Sequence, residues 1–179
     1  MKFTKLKIPD VVLIEPKILK DSRGFFYEFY HQVEFEKNGI RTKFVQDNYS
    51  VSSRGVLRGL HFQVEPKAQA KLIRVTRGEV FDVVVDLRKN SKTFGCSLNM
   101  ILSEENRKML YVPIGFAHGY LVLKGRTEFQ YKVSDFYSPE HERGIIWNDP
   151  DLRIPWANLG MDYLISKKDR LLTRLKDIQ

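Results

Sequence analysis

Two histidines, a lysine and a tyrosine carry the groups that a proton-transfer reaction needs. His61 lies in the strand-like run 57–63, and Lys71, His118 and Tyr131 follow it on further strand-like runs. An imidazole can act as a general base near neutral pH and a phenol as an acid, while an ammonium group stabilises the negative oxygen of an enolate. This set of residue types indicates enolate chemistry, in which a proton beside a carbonyl group is removed and returned.

His61 also has a plainer interpretation. A single histidine in a strand is more often a hydrogen-bonded structural residue than a base, and the catalytic interpretation depends on the three partners just named. Strict alternation of side chains puts Arg58 and His61 on opposite faces of their strand. Both side chains reach one pocket only if Gly59, which lies between them, kinks or bulges the strand.

A metal site is the main alternative for histidines in a β-barrel. A metal-binding cupin needs two histidines one residue apart, then a carboxylate and another histidine. The residue two positions after His61 is Gln63, a poor ligand, and His31 and His141 fall in helix-like or loop-like segments. The chain also has no G-x-G-x-x-G stretch that would hold a nicotinamide. We therefore predict an enzyme without metal ligands and without a cofactor.

Two arginines and several aromatic rings suit a nucleotide diphosphate. The guanidinium groups of Arg23 and Arg58 match diphosphate oxygens in shape and charge. Aromatic side chains can stack on a nucleotide base, although core packing is the alternative for at least half of them. These rings are Phe25, Phe26, Tyr27 and Tyr137.

Composition limits the classes of partner. The 179 residues include 30 Lys and Arg against 22 Asp and Glu, a net charge of +8 that favours anionic partners. The basic residues are dispersed, which argues against nucleic acid, and the apolar runs are too short to cross a membrane. The first residues do not resemble a signal peptide, so we expect a cytoplasmic protein. One cysteine, Cys96, excludes an intramolecular disulfide.

Short apolar runs separated by turn residues predict a mostly β protein. Closing such a sheet removes its exposed edges, so we expect an all-β, cupin-type jelly-roll barrel formed by residues 1–179 as a single domain. A few short peripheral helices are predicted at 31–38 and, near the C-terminus, at 166–175, where Ser166 is the N-cap. The predicted strands are 11–15, 24–30, 43–51, 56–63, 71–76, 79–87, 97–102, 109–112, 118–123 and 127–133.

A series of motifs from about residue 8 to residue 169 resembles the dTDP-4-dehydrorhamnose 3,5-epimerase family of the dTDP-L-rhamnose pathway. The motifs follow the family's order and spacing. They are Asp21-Ser22-Arg23-Gly24-Phe25-Phe26-Tyr27-Glu28, Phe44-Val45-Gln46-Asp47-Asn48, Val56-Leu57-Arg58-Gly59-Leu60-His61-Phe62-Gln63, Lys71-Leu72-Ile73-Arg74-Val75, Gly78-Glu79-Val80-Phe81-Asp82-Val83, Val112-Pro113-Ile114-Gly115-Phe116-Ala117-His118-Gly119 and Tyr131-Lys132.

The resemblance implies a cupin jelly roll, a homodimer that exchanges strands, and conversion of dTDP-4-dehydro-6-deoxy-D-glucose into dTDP-4-dehydro-L-rhamnose. It also implies roles for individual residues. His61 would be the general base, oriented by Asp169, Tyr131 would be the acid, and Lys71 would stabilise the enolate. Arg23 and Glu28 would reach in from the other subunit. The substrate-binding residues implied by the resemblance are Arg23, Glu28, Gln46, Asp47, Asn48, Arg58, Lys71, His118, Tyr137, Glu142 and Lys168.

Three departures from the family pattern leave the exact reaction open. Ala70 stands where glycine is expected, Tyr120 replaces a usual phenylalanine, and Cys96-Ser97 replaces a bulkier aromatic residue. The alternatives are an epimerase that inverts only one carbon, a 3,4-ketoisomerase, and a cupin that binds a sugar without catalysis.

Overall fold

The computed structural model describes residues 1–178 and consists mainly of β-strands, as the spacing of apolar runs predicts. The two α-helices are short, and no helix among residues 1–178 is long and apolar enough to cross a membrane. The elements are β1 Lys2–Lys5, β2 Val12–Glu15, β3 Leu19–Asp21, β4 Gly24–Phe26, α1 Gln32–Lys37, β5 Gln46–Ser52, β6 Val56–Gln63, β7 Lys71–Arg77, β8 Glu79–Asp86, β9 Ser97–Ser103, β10 Met109–Val112, β11 Phe116–Val122, β12 Thr127–Val133, β13 Glu142–Gly144, β14 Leu164–Ile165 and α2 Lys167–Arg170.

Two sheets form the body of the molecule. The first has six strands in the order β1-β2-β10-β7-β12-β5, and the second runs β13-β6-β11-β8-β9, with β14 paired to β6. A separate two-stranded hairpin, β3–β4, lies outside both sheets. Neighbouring strands in the sheets are antiparallel apart from β14, which runs parallel to β6. The predicted all-β cupin-type jelly roll is confirmed.

The inner faces of the two sheets form the main apolar core. Ile73 of β7, Val84 of β8 and Phe129 of β12 are almost fully buried in one cluster with residues of β10 and β11. Removing each such side chain from water stabilises the fold by about 1.5–3 kcal/mol. The cluster contains inward residues at alternating positions, as the sequence predicts, so the polar residues on these same faces point into the barrel.

The C-terminal helix is much shorter than the predicted range 166–175. Ser166 caps it as expected, accepting a hydrogen bond from the Asp169 amide at 3.0 Å, but the helix ends at Arg170. After Arg170 the chain turns back, and a hydrogen bond from the Ile146 amide to the Thr173 carbonyl at 2.8 Å holds it there. The Leu175 amide bonds to the buried Asp149 carboxylate at 2.7 Å. These bonds hold the segment as a strap across the second sheet.

Sequence patterns also misplaced several strand boundaries. The predicted strand 24–30 stops at Phe26, and the predicted strand 43–51 begins only at Gln46. Strands β1, β3, β13 and β14 were not predicted, since each has four residues or fewer and is too short to show a clear alternation.

Candidate active site

A cavity of about 270 Å³ opens between the two sheets. Polar groups from both sheets line it, together with the rings of Phe62, Phe129 and Tyr120. Eight of the residues implied by the resemblance lie on its wall: Asn48, Arg58, His61, Lys71, His118, Tyr131, Tyr137 and Glu142.

His61 lies on β6 in contact with a carboxylate that is distant in sequence. Its Nε2 is 3.0 Å from Oδ1 of Asp169, which α2 presents from the strap. Asp169 is buried and its other oxygen, Oδ2, accepts a hydrogen bond from the Gly59 amide at 3.1 Å. Both carboxylate oxygens are therefore hydrogen-bonded. Burial raises the pKa of Asp169, but the hydrogen bond and charge of His61 and the Gly59 amide outweigh burial and leave the pKa lowered. The anionic carboxylate orients the imidazole.

A bulge at Gly59 brings Arg58 and His61 to the same cavity. His118 on β11 pairs with His61, whereas Tyr120, two residues on, pairs with Arg58, three residues back. The extra residue on β6 reverses the alternation between these two side chains. Gly59 has φ +113°, and a Cβ there would lie 2.6 Å from the Gly119 Cα. The glycine therefore permits both the bulge and the close approach of β6 to β11.

Lys71 lies on β7 with its side chain inside the barrel. The residue is only 8% exposed, and its Nζ donates to the His61 carbonyl at 3.2 Å. Desolvation lowers the pKa of Lys71 to about 8, while the negative charges of Asp82 and Glu142 oppose this shift. An ammonium of this kind is a poorly hydrated positive charge next to His61, and such a charge can stabilise an enolate oxygen.

Tyr131 lies on β12, in the sheet opposite His61. It is a neighbour of Lys71 on the inner face, because Val133 pairs with Lys71 and Tyr131 with Ile73. Burial and then the nearby Tyr120 raise the pKa of Tyr131. The phenol therefore keeps its proton at neutral pH and can donate it into the cavity from the side opposite the imidazole.

His118 forms a second histidine–aspartate pair. Its Nε2 lies 2.8 Å from Oδ2 of Asp82 on β8, and both residues are buried. Sequence reasoning missed Asp82, although a signal was present: it is a carboxylate at an inward position in the otherwise apolar run 80–85.

Three predicted binding residues form a bonded group at the cavity rim. Glu142 accepts a hydrogen bond from the Tyr137 hydroxyl at 2.6 Å and a short one from the Lys168 ammonium. Burial raises the pKa of Glu142, but these two donors outweigh it and the pKa is lowered. Gln46 bonds to two residues of the cavity wall: its side chain donates to Asn48 at 2.8 Å and accepts the Tyr137 amide at 3.1 Å.

Three predicted binding residues are not brought to this cavity. Asp47 points to the outer face of β5, because the inward positions are Gln46, Asn48 and Ser50, and it pairs with Lys132 at 2.8 Å. Arg23 lies at the tip of the β3–β4 hairpin, where it pairs with Asp21 at 2.6 Å and its side chain is 88% exposed. Glu28 is exposed beyond the same hairpin.

Gln63 and Tyr120 also line the cavity, and they contribute to it in different ways. The Gln63 amide joins two loops, donating to the Lys67 carbonyl at 2.6 Å and accepting the Ser138 amide at 2.8 Å, which is a structural role. The Tyr120 hydroxyl lies 2.9 Å from the Ser50 hydroxyl, and its ring stacks on Phe129 at 4.1 Å. The departure from phenylalanine at this position thus adds a second phenol to the cavity wall.

Both sheets contribute proton-exchanging groups to one barrel cavity, the arrangement of an acid–base enzyme of the cupin class. Comparison with known proteins identifies the family, which this geometry alone does not. The chain belongs to the dTDP-4-dehydrorhamnose 3,5-epimerase family, whose model matches residues 5–177. The family predicted from the motifs is confirmed.

Individual relatives match along nearly their whole length. A dTDP-4-dehydrorhamnose 3,5-epimerase from Pseudomonas aeruginosa is 56% identical over 171 residues, covering 95% of this chain and 93% of the relative. The structure of an epimerase from Legionella pneumophila in complex with dTDP-4-keto-L-rhamnose is 46% identical, with a TM-score of 0.95 over 99% of this chain and 94% of that one.

Fold similarity alone does not separate the reactions within this group. A 3'-monoepimerase from Streptomyces bikiniensis, in complex with dTDP-quinovose, is 32% identical with a TM-score of 0.89, covering 96% of this chain and 86% of that one. The higher identity to relatives named 3,5-epimerases favours the double reaction.

Proposed function

We propose that this chain is an isomerase of dTDP-L-rhamnose biosynthesis that converts dTDP-4-dehydro-6-deoxy-D-glucose into dTDP-4-dehydro-L-rhamnose by inverting carbons 3 and 5. One observation carries the proposal. His61 and Tyr131 line the same cavity from opposite sheets, and the buried Lys71 ammonium lines it with them. The 56% identity to a relative that bears this activity in its name supports the same conclusion.

The proposed mechanism follows from this placement. The ketone at carbon 4 acidifies the hydrogens on carbons 3 and 5, so His61 can remove either as a proton and leave an enolate. Lys71 stabilises the charge that develops on the carbonyl oxygen. Tyr131 then delivers a proton to the opposite face of the same carbon, which inverts its configuration. Asp169 holds the imidazole in position and stabilises its protonated form.

The rim residues are proposed to bind the nucleotide. Arg58, Asn48 and Gln46 supply donors for diphosphate oxygens, and the half-exposed Tyr137 ring is available to stack on the base. We retain Glu142, Lys168 and His118 as substrate-binding residues. For Asp47 to bind the substrate, its ion pair with Lys132 would have to break.

We also propose a homodimer. The β3–β4 hairpin exposes large apolar side chains, with Leu19 53%, Phe25 55% and Phe26 64% exposed, next to Arg23. Apolar surface of this kind is typical of protein interfaces. Docked on a second copy, the hairpin would bring Arg23 and Glu28 to the other subunit's cavity. The cytoplasmic location and the absence of a cofactor stay predictions.

Deuterium incorporation tests the proposed reaction. The protein is incubated with dTDP-4-dehydro-6-deoxy-D-glucose in deuterated water, and NMR locates the label in the product. We expect deuterium at both carbons 3 and 5, because each inversion replaces a carbon-bound proton with one from the solvent.

The other outcomes identify the alternatives. Label at one carbon only indicates a mono-epimerase, and label at neither carbon contradicts the epimerase proposal. Elemental analysis of the same preparation checks the metal alternative, since a stoichiometric transition metal would contradict the cofactor-free mechanism. A His61→Ala variant with full turnover would point to a different base.

A further inference from the structure

Asp82 is a buried carboxylate to which the mechanism above assigns no role. It lies on β8 at an inward position between Val80 and Val84 of the main apolar core, and it is 1% exposed. Bringing a carboxylate into such an environment costs several kcal/mol unless hydrogen bonds and opposite charges compensate. The neighbours of Asp82 must therefore compensate this cost.

The two oxygens of Asp82 have different surroundings. Oδ2 lies 2.8 Å from the His118 Nε2, and this is the only hydrogen bond that the side chain forms among residues 1–178. Oδ1 is buried and has no protein hydrogen-bond partner within the same part of the chain. One oxygen of the carboxylate is therefore bonded to the His118 imidazole. The other oxygen is buried in the barrel and, among residues 1–178, has no hydrogen-bond donor.

Strand pairing places this charge close to the proposed catalytic groups. Tyr120 on β11 pairs with Asp82, and His118 pairs with Val84, so Asp82 and His118 are diagonal neighbours on the inner face of their sheet. His118 in turn pairs with His61 on β6. The two histidines of the His61–Asp169 and His118–Asp82 pairs thus lie side by side in one sheet.

The opposite sheet presents Lys71 to the same interior. Lys71 shares an inward face with Ile73 and Val75, which pack in the same core cluster as Val80 and Val84 of β8. The anionic Asp82 raises the pKa of Lys71 against the effect of desolvation. The titratable and charged groups that line the cavity with Lys71 are Tyr49 (β5), Arg58 and His61 (β6), His118 and Tyr120 (β11), Tyr131 (β12), Tyr137 and, on β13, Glu142. Asp82 on β8 acts on Lys71 through its charge.

We propose that Asp82 is a positioning residue for this reaction: its carboxylate orients the His118 imidazole through one oxygen and, through its buried charge, keeps Lys71 in the ammonium form. This inference rests on the proposed function, since it adds a residue to the same site. His118 and Lys71 lie on different sheets, and Asp82 acts on both without reaching the substrate.

The Asp82→Asn variant tests the proposal, because it keeps the shape of the side chain and removes its charge. Without the anion the charged form of Lys71 is less favoured, so its pKa falls. The alkaline limb of kcat/KM should move to lower pH by about one unit. The kcat at neutral pH should fall about tenfold or more, since the amide also alters the bond to His118.

Asp86→Asn is the matched control. Asp86 lies four residues further along β8, on the same face and fully buried, but it bonds to Arg88, Ser91 and Thr93 outside the cavity. This variant should lose stability and leave the pH profile in place. If Asp82→Asn does not fold, Asp82→Ser, which is smaller and leaves room for water, takes its place and the same result is expected.

An unchanged pH profile together with an unchanged kcat in the folded Asp82 variant would overturn the proposal. A fall in kcat without a shift of the alkaline limb would also overturn it, because a purely structural effect predicts that pattern. The labelling experiment on the unaltered protein separates this failure from failure of the epimerase proposal, since deuterium at carbons 3 and 5 would still establish the reaction.

Discussion

At the scale of single residues, the site depends on groups whose charge is controlled by burial. Lys71 is held inside the barrel, where desolvation lowers its pKa to about 8. Tyr131 is affected in the opposite sense, because burial disfavours the phenolate and raises its pKa. Burial therefore keeps the Tyr131 phenol protonated, and it also brings the pKa of Lys71 close to physiological pH.

The first residue-scale prediction concerns pH. Because the folded pKa of Lys71 lies below its usual value, the ammonium form is lost as pH rises through about 8. We expect kcat/KM to fall on the alkaline side of that value. A profile measured from pH 6 to 10 checks this. In Lys71→Arg the guanidinium does not titrate in this range, so any remaining activity should lack this limb.

The second residue-scale prediction concerns the base and the acid. His61→Asn and Tyr131→Phe remove the proton-accepting and proton-donating atoms and should each lower kcat by about 10²–10⁴-fold. Tyr163→Phe is the control for the phenol, because Tyr163 does not line the cavity and its hydroxyl donates to the Ala157 carbonyl at 2.9 Å. Stopped-time assays with the keto sugar measure all three. Near-normal turnover in either of the first two variants would contradict the assigned roles.

At the scale of elements, the bulge of β6 and the C-terminal strap together position His61, the proposed base. The bulge turns Arg58 and His61 toward one cavity, and the strap carries Asp169 to His61 across 108 residues of sequence. The Gly59 amide bonds to the same carboxylate, so the bulge and the strap meet at one point. A change in either element should alter the site as well as the stability.

Gly59→Ala tests the importance of the bulge. A Cβ at this position would lie 2.6 Å from the Gly119 Cα and 2.8 Å from the His118 carbonyl, and φ is +113°. We expect a loss of about 2 kcal/mol or more in the free energy of unfolding, together with a loss of activity. Gly125→Ala is the control, because nothing lies within 4 Å of its added Cβ. Urea unfolding curves of both variants give the comparison.

At the scale of the whole molecule, the exposed hairpin and the positive charge suggest how the site is completed. Lys71 and Arg58 line the cavity, whereas Arg23 does not line it and lies on an exposed hairpin. A second copy of the chain is the proposed way to bring this cation to a diphosphate. The net charge of +8 is consistent with attraction of an anionic substrate.

Phe26→Ser tests the proposed dimer. Phe26 is 64% exposed on the hairpin, and its removal should weaken self-association at least about tenfold if the ring is an interface anchor. Sedimentation velocity over a range of concentrations measures this. Leu171→Ser, at an 83% exposed residue outside the hairpin, should have no such effect. A monomeric but fully active unaltered protein would contradict both the dimer and the role of Arg23.

The sequence alone predicted the longer strands and a mostly β fold, because alternation with a period of two is a local property of a strand. It placed Lys71, His118 and Tyr131 on strands and predicted that Arg58 and His61 need an irregularity at Gly59 to reach one pocket. The motif resemblance, rather than any periodicity, linked His61 to Asp169. Alternation did not identify Asp82, and the helix pattern at 166–175 extended too far.

Only the tertiary structure decided which inward residues meet. The order and register of strands in two packed sheets set the distances between residues far apart in sequence, and the whole core determines both. The pairing of His118 with His61, the bond from His118 to Asp82 and the early end of the last helix at Arg170 all depend on such long-range packing. Local patterns contain no information about these contacts, because they record which face a side chain occupies and not what lies opposite it.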